Sequence, residues 1–259
     1  MPALLALVLS ACAPPASSRS GAPERTGDLG IELPYQARGQ EPGWLLELTG
    51  SGMTLTWDHG RHTAHMPEPS VRGMQRGIRY SGVAGGHQVV ARMTHALCHD
   101  VMSGIPYPDR VTVHIDQRRL RGCGGRPGAL LKDTHWNITA IDGDDILHDS
   151  HPTIEFGHAG NFGGSGGCNS FSGSFELRGN RFKLGMVAST AVACDLPAIQ
   201  TDGRVGPVDQ QALAAGRQEN RMIQLVSRMD AFNITDDGTL VLRTRSGTTM
   251  RARPAQSPR

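Results

Sequence analysis

Lysine is almost missing from this sequence of 259 residues: Lys132 and Lys183 are the only two, so positive charge rests on arginine. That skew points to genome composition more than to a binding role, and the basic residues are scattered along the chain. A net charge of +2 with a pI near 8.4 is too balanced to argue for a nucleic-acid partner. Long apolar runs are missing too, which excludes a spanning helix after residue 12. No CxxC pair occurs, which removes the usual frame of a zinc site.

What is there begins with MPALLALVLSAC, an apolar run ending in small residues. It is too short to cross a bilayer and has the form of a secretory signal. Leu9-Ser10-Ala11-Cys12 resembles the lipobox of bacterial lipoproteins, in which cleavage precedes the cysteine and acyl chains are attached to it. The resemblance implies a signal peptide over residues 1–11 and lipidation at Cys12. One feature departs from the pattern: no Lys or Arg occurs before Arg19. Ala13 follows the anchor in place of Asp, which by the same resemblance implies the outer membrane, facing the periplasm. The segment after Cys12 is rich in Pro, Ser, Gly and Ala, which predicts a flexible linker over residues 12–35.

Setting Cys12 aside leaves Cys98, Cys123, Cys168 and Cys194. An even set in an exported chain favours disulfides, and of three connectivities the sequence-local one, Cys98 with Cys123 and Cys168 with Cys194, is simplest. A zinc site built from the same four is the rival.

The hydrophobic pattern is short and of period two. Trp44–Leu48, Met53–Trp57, Val89–Met93 and Arg110–Ile115 alternate between glycines, which predicts an antiparallel sheet or small barrel over residues 36–125. Gly124-Gly125-Arg126-Pro127-Gly128 breaks the chain, and a second unit over residues 131–252 follows. Its strands are expected at His135–Ile141, Thr153–Phe156, Phe171–Phe175 and Arg181–Val187. One helix is expected at Glu219–Met229, from the stripe Met222, Ile223, Val226 and Met229. Two last strands lie at Ala231–Thr235 and Thr239–Thr244. Residues 201–216 read as a loop and 253–259 as a disordered tail. The fold class expected is mainly β with one helix, as two small antiparallel sheet or barrel domains in tandem.

The second unit carries Trp136, Pro152–Phe156, then Gly166-Gly167-Cys168-Asn169-Ser170-Phe171-Ser172-Gly173, Ala188–Cys194 with Thr190, and Glu219. In order and spacing it resembles the META domain, the HslJ-like family of envelope lipoproteins; the connection between Cys194 and Glu219 is longer than usual. The first unit carries Gly39-Gln40-Glu41-Pro42-Gly43-Trp44, then Cys98-His99-Asp100-Val101-Met102-Ser103-Gly104-Ile105-Pro106-Tyr107-Pro108 and Gly122-Cys123. It resembles a domain of uncharacterised envelope proteins, with Gly43 where Phe is usual. That resemblance supports the Cys98–Cys123 pair and implies no activity.

Several constellations invite chemistry. Cys98-His99-Asp100 contains a nucleophile, a base and a carboxylate, but neighbours on a strand point to opposite faces. His59, His62 and His65, with His87, His95 and His99, suggest a metal site; spacing by three scatters ligands across a strand, so surface histidines are expected and no metal or cofactor. The glycine-rich residues 157–167 lack the Gly-Lys-Ser/Thr of a phosphate loop and read as a hairpin connection. Asp142-Gly143-Asp144-Asp145 lacks the continuation of a calcium loop and reads as a turn. The expectation is therefore a non-catalytic envelope lipoprotein in stress tolerance or envelope integrity, bound to the membrane by lipid, with an envelope protein or hydrophobic ligand as partner. The alternatives are a lipid-binding barrel, an inhibitor of lysozyme or proteases and, last, a hydrolase.

Overall fold

The computed structural model describes residues 31–192 and 210–255. The expected signal peptide, Cys12, residues 12–30 of the linker, Cys194, the loop over 201–209 and residues 256–259 lie outside the described residues.

The chain forms two antiparallel β units with one helix. The first comprises β1 (Tyr35–Gln40), β2 (Gly43–Thr49), β3 (Gly52–Trp57), β4 (His62–Met66), β5 (Ser70–Met74), β6 (Gly77–Ala84), β7 (His87–His99), β8 (Pro106–Ile115) and β9 (Arg118–Gly124). They are ordered β4-β3-β2-β1-β9-β8-β7-β6-β5 in one sheet. Alternation does the sorting: Trp44, Leu46 and Leu48 face inward from β2, with Met53, Leu55 and Trp57 beside them from β3. Each such side chain contributes roughly 1.5–3 kcal/mol by leaving water. The sheet curls until one edge strand, β4, packs on β6 near the other edge: Met66 lies over Gly82 so closely that a Cβ there would lie 2.6 Å from its sulfur.

A 3-10 turn, Pro127–Leu130, leads to the second unit. Its elements are β10 (Thr134–Ile141), β11 (Asp144–Asp145), β12 (Thr153–Phe156), β13 (Asn161–Ser165), β14 (Ser170–Arg178), β15 (Arg181–Ser189), α1 (Gln210–Val226), β16 (Met229–Ile234), β17 (Leu240–Thr244) and β18 (Thr249–Pro254). Pairing of β18 with β10 closes eight of these strands into a barrel. Phe156, Phe162, Phe171, Phe182 and Phe232 are buried in its core, and their rings meet each other or Phe175 at 5.5–6.4 Å. Helix α1 packs Met222, Leu225 and Val226 onto that core.

The expected class, mainly β with one helix, is what is found, and five details are corrected. Residues 31–35 are not free linker: Ile31 is buried and Tyr35 opens β1. The helix begins at Gln210, inside the expected loop, because Gln210-Gln211-Ala212-Leu213-Ala214-Ala215 is made of strong helix formers. It ends at Val226, so Met229 belongs to β16 and Leu225 completes the buried stripe. The expected tail contributes Arg253 and Pro254 to β18, where buried Ala252 and Met250 lock the closing strand. The glycine-rich hairpin connection contains β13, whose Gly164 is crowded by Thr153 O and the Phe171 ring; a Cβ there would lie 2.1 Å and 2.7 Å from them.

Candidate functional site

The residues that carry the two resemblances gather at two places. In the first unit, Asp100 closes the loop between β7 and β8. Its Oδ1 accepts from Ser103 N (2.8 Å), Ser103 Oγ (2.8 Å) and Met102 N (3.2 Å), and Oδ2 accepts from Gln40 Nε2 (3.3 Å). Burial alone would raise this carboxyl, but the bonds from Ser103, Gln40 and Met102 outweigh it and hold it below the usual carboxylate range. Gly104 completes the turn at φ +65°. Val101 and Met102 stand at its tip, 83% and 74% exposed. Behind the turn, Cys98 and Cys123 form a disulfide with Cα atoms 5.5 Å apart, and Tyr107 and Ile105 pack on it. Pro108 packs against Gly125, where a Cβ would lie 2.5 Å from its ring. The Trp44 ring lies over Gly39 and Gly122 and donates Nε1 to Arg121 O at 3.1 Å. Glu41-Pro42 forms the turn between β1 and β2. The His59 ring lies against Gly43, the position that departs from the resemblance.

In the second unit, α1 projects Glu219, which is buried, into the loop before β14. Its Oε1 accepts from Cys168 N (2.9 Å) and Asn169 N (2.6 Å), and Oε2 accepts from Asn169 Nδ2 (2.7 Å). Asn169 Oδ1 in turn accepts from Thr190 Oγ1 (2.8 Å) and Val192 N (2.7 Å). Gly166 leaves room for the Glu219 side chain, because a Cβ there would lie 2.6 Å from its Cγ, and Gly167 takes φ +126°. Gly173 lies under the Phe162 ring. Trp136, buried in β10, donates Nε1 to Thr134 Oγ1 at 2.8 Å. Cys168 is disulfide-bonded; its expected partner, Cys194, is outside the described residues.

Residues 129–208 match the META domain family. The match extends from the turn ahead of β10 past β15, whereas the barrel of the second unit closes only with β16, β17 and β18, beyond residue 208. A solved structure described as "NMR structure of the protein from Burkholderia xenovorans" is similar at 19% identity, over 50% of this chain and 86% of its own, with a TM-score of 0.37. No curated protein matches the chain.

The consecutive residues Cys98, His99 and Asp100 go three separate ways. Cys98 is oxidised, Asp100 is held by its own turn, and His99 reaches the second unit, donating Nε2 to Ile234 O at 2.7 Å. The other histidines disperse as well. His62 stacks on Trp57, His87 meets Asp116 at 2.7 Å, His95 meets Asp109 at 2.7 Å, and His65 bonds Thr54 at 3.0 Å on an exposed face. Among the described residues no three His, Cys, Asp or Glu side chains are grouped to hold a metal ion. Asp142-Gly143 forms a turn at φ +53° and +90° into β11. A cleft of about 820 Å³ opens beside Trp136 and Pro254, and in its wall His135 meets Glu155 at 3.1 Å, both well exposed.

One buried group was not singled out from sequence. Tyr35 is 4% exposed, and its hydroxyl sits near Asp109 without a well-formed hydrogen bond, pressed against Gly124. Burial, then the Asp109 carboxylate, pushes its ionisation far above the ordinary tyrosine range. The unfolded chain ionises Tyr35 near pH 10 while the folded chain keeps it neutral, so this group's contribution is whole below pH 10 and is lost as pH rises further. Tyr35→Phe is expected to change stability by no more than about 1 kcal/mol at pH 7. It should also flatten the fall in stability between pH 9 and 11. Urea titrations across that range check this, and an unchanged slope would refute it.

Proposed function

We propose that this protein is a non-catalytic lipoprotein of the bacterial cell envelope, anchored through acyl chains on Cys12 to the outer membrane and facing the periplasm, with a role in envelope integrity or stress tolerance. The observation that carries the reading is the use made of its two motif carboxylates. Asp100 and Glu219 are both buried, and both are occupied by donors that hold loops in shape: Asp100 takes the turn after β7, and Glu219, at the wall of a cleft beside α1, takes the backbone of Cys168 and Asn169. The disulfide across β7 and β9 fits an oxidising compartment. A hydrophobic ligand inside the second barrel has less support, because phenylalanine rings occupy the space it would need.

The anchor is tested by expressing the chain in a bacterium and separating membrane from soluble protein. The wild-type chain should sediment with membranes, and blocking the lipoprotein signal peptidase should leave a larger precursor. Cys12→Ala should move the protein out of the acylated pool, seen by loss of the acyl mass on the N-terminal peptide. Unchanged processing and membrane association in the variant would overturn the proposal.

A further inference from the structure

The arginines that are scattered in sequence become ordered once the strands pair. Arg72 of β5 lies opposite Arg79 of β6, Arg79 opposite Arg92 of β7, Arg92 opposite Thr112 of β8, and Thr112 opposite Arg121 of β9. Arg79, Arg92, Thr112 and Arg121 point away from the core, since the alternating residues Ile78, Tyr80, Met93, Val111 and Leu120 are buried inside, and exposed Arg72 shares their face through its pairing with Arg79. At strand spacing the row extends about 19 Å along the outer face. Arg119 and His114 stand opposite each other one row away.

Among the described residues no acidic group pairs with this row. In β5 to β9 the only carboxylate is Asp109, which is buried and bonded to His95. Among the described residues none of Arg72, Arg79, Arg92, Arg119 or Arg121 forms an ion pair, whereas Arg118, Arg181, Arg221 and Arg245 each meet an aspartate. Like charges set directly opposite across strands oppose folding, and Arg79 in the middle also has a buried Nε without a hydrogen-bond partner. The local field is felt by His114, whose imidazolium is disfavoured first by burial and then by Arg92 and Arg119. An arrangement costly to the free protein and bare of internal counter-ions is what an external anion would relieve.

We propose that this ladder binds an extended polyanion, a chain bearing carboxylate or phosphate groups at repeated intervals, laid across β5 to β9. Guanidinium forks suit both oxyanions. The face is the outside of a curled sheet, so a flexible chain can follow the arc, whereas a flat bilayer meets only part of it. Interleaved outward residues include the hydroxyls of Ser81, Thr94 and Thr112, which donate to oxyanions and offer nothing to an acyl layer.

The test measures binding of the full chain to polygalacturonate, to long-chain polyphosphate and to phosphatidylglycerol vesicles. It compares the wild-type chain, Arg79→Gln/Arg92→Gln/Arg121→Gln, and the control Arg217→Gln/Arg228→Gln/Arg243→Gln, which removes the same charge from the second unit. At about 50 mM salt the wild-type chain should bind at least one soluble polymer, and the ladder variant should bind it at least about tenfold more weakly. The control should stay within about twofold, and raising salt to about 200 mM should weaken the wild-type complex. Which polymer binds assigns carboxylate or phosphate. Circular dichroism of both variants reports whether each keeps its fold; if the ladder variant does not, the single variants Arg79→Gln and Arg92→Gln take its place. Failure to bind either polymer, equal loss in ladder and control variants, or binding to vesicles alone would overturn the proposal.

Discussion

Replacing Glu219 with alanine is expected to destabilise the second barrel by about 3 kcal/mol, because one buried and one part-buried backbone donor lose this acceptor and Asn169 Nδ2 keeps only its longer bond to Val192 O. The donors are Cys168 N, Asn169 N and Asn169 Nδ2, all within 2.9 Å of the carboxylate. Water cannot readily replace it, since Glu219 and Asn169 are only 4% and 6% exposed. The damage should spread along the chain of bonds: without Glu219, Asn169 is held less firmly toward Thr190 and Val192, and the end of β15 loses one of its ties to the start of β14, the bonds between Ser170 and Thr190 remaining. Glu219→Gln should fall between, because one amide oxygen can still serve the two backbone donors while its NH₂ faces that of Asn169. Urea unfolding followed by circular dichroism and by Trp136 fluorescence measures both. Trp44 and Trp57 belong to the other unit, so a transition reported only by them should stay in place. A loss below about 1 kcal/mol for Glu219→Ala would show that the loop is held by something else.

Glu219 also marks where sequence reasoning ends. Its helix was legible from the apolar stripe, and its match to a family was legible from spacing, but its target lies fifty residues earlier and only the packing of α1 brings the two together. Strands with clean alternation, such as Met53–Trp57 and Arg110–Ile115, were legible because one face of each is buried. Strands β5 and β13 were not. The first is an exposed edge whose residues show no inward period, and the second is rich in glycines that make room for neighbouring backbone and rings. The closing strand β18 was hidden by Arg251, Arg253 and Pro254, which face outward beside the two buried residues that matter. The arginine ladder was illegible for a related reason: its members are 7, 13 and 29 residues apart, and only the register of five strands aligns them.

The second large effect is expected from Cys98→Ala/Cys123→Ala, which should cost the first unit about 3 kcal/mol. The two cysteines are 25 residues apart, and their bond ties β7 to β9 across the intervening β8. In the unfolded chain that cross-link removes the conformations in which the ends of the loop separate, and this loss of freedom is the main source of the expected stabilisation. A native-state effect adds to it. The bond is the centre of a small cluster with Tyr107 and Ile105, apart from the main core, and β7 is irregular between His95 and Cys98, so the ladder alone holds this end of the strand weakly. His99 follows at once and reaches Ile234 of the second unit, and Asp100 follows that. Loosening Cys98 should therefore show first as faster hydrogen exchange over residues 98–105 and around Ile234, ahead of global unfolding. The double variant isolates this bond from the one at Cys168, which a reductant would not. Stability within about 1 kcal/mol of the wild-type chain, with exchange unchanged at both places, would mean that the turn of Asp100 and the packing of Tyr107 suffice without the bond.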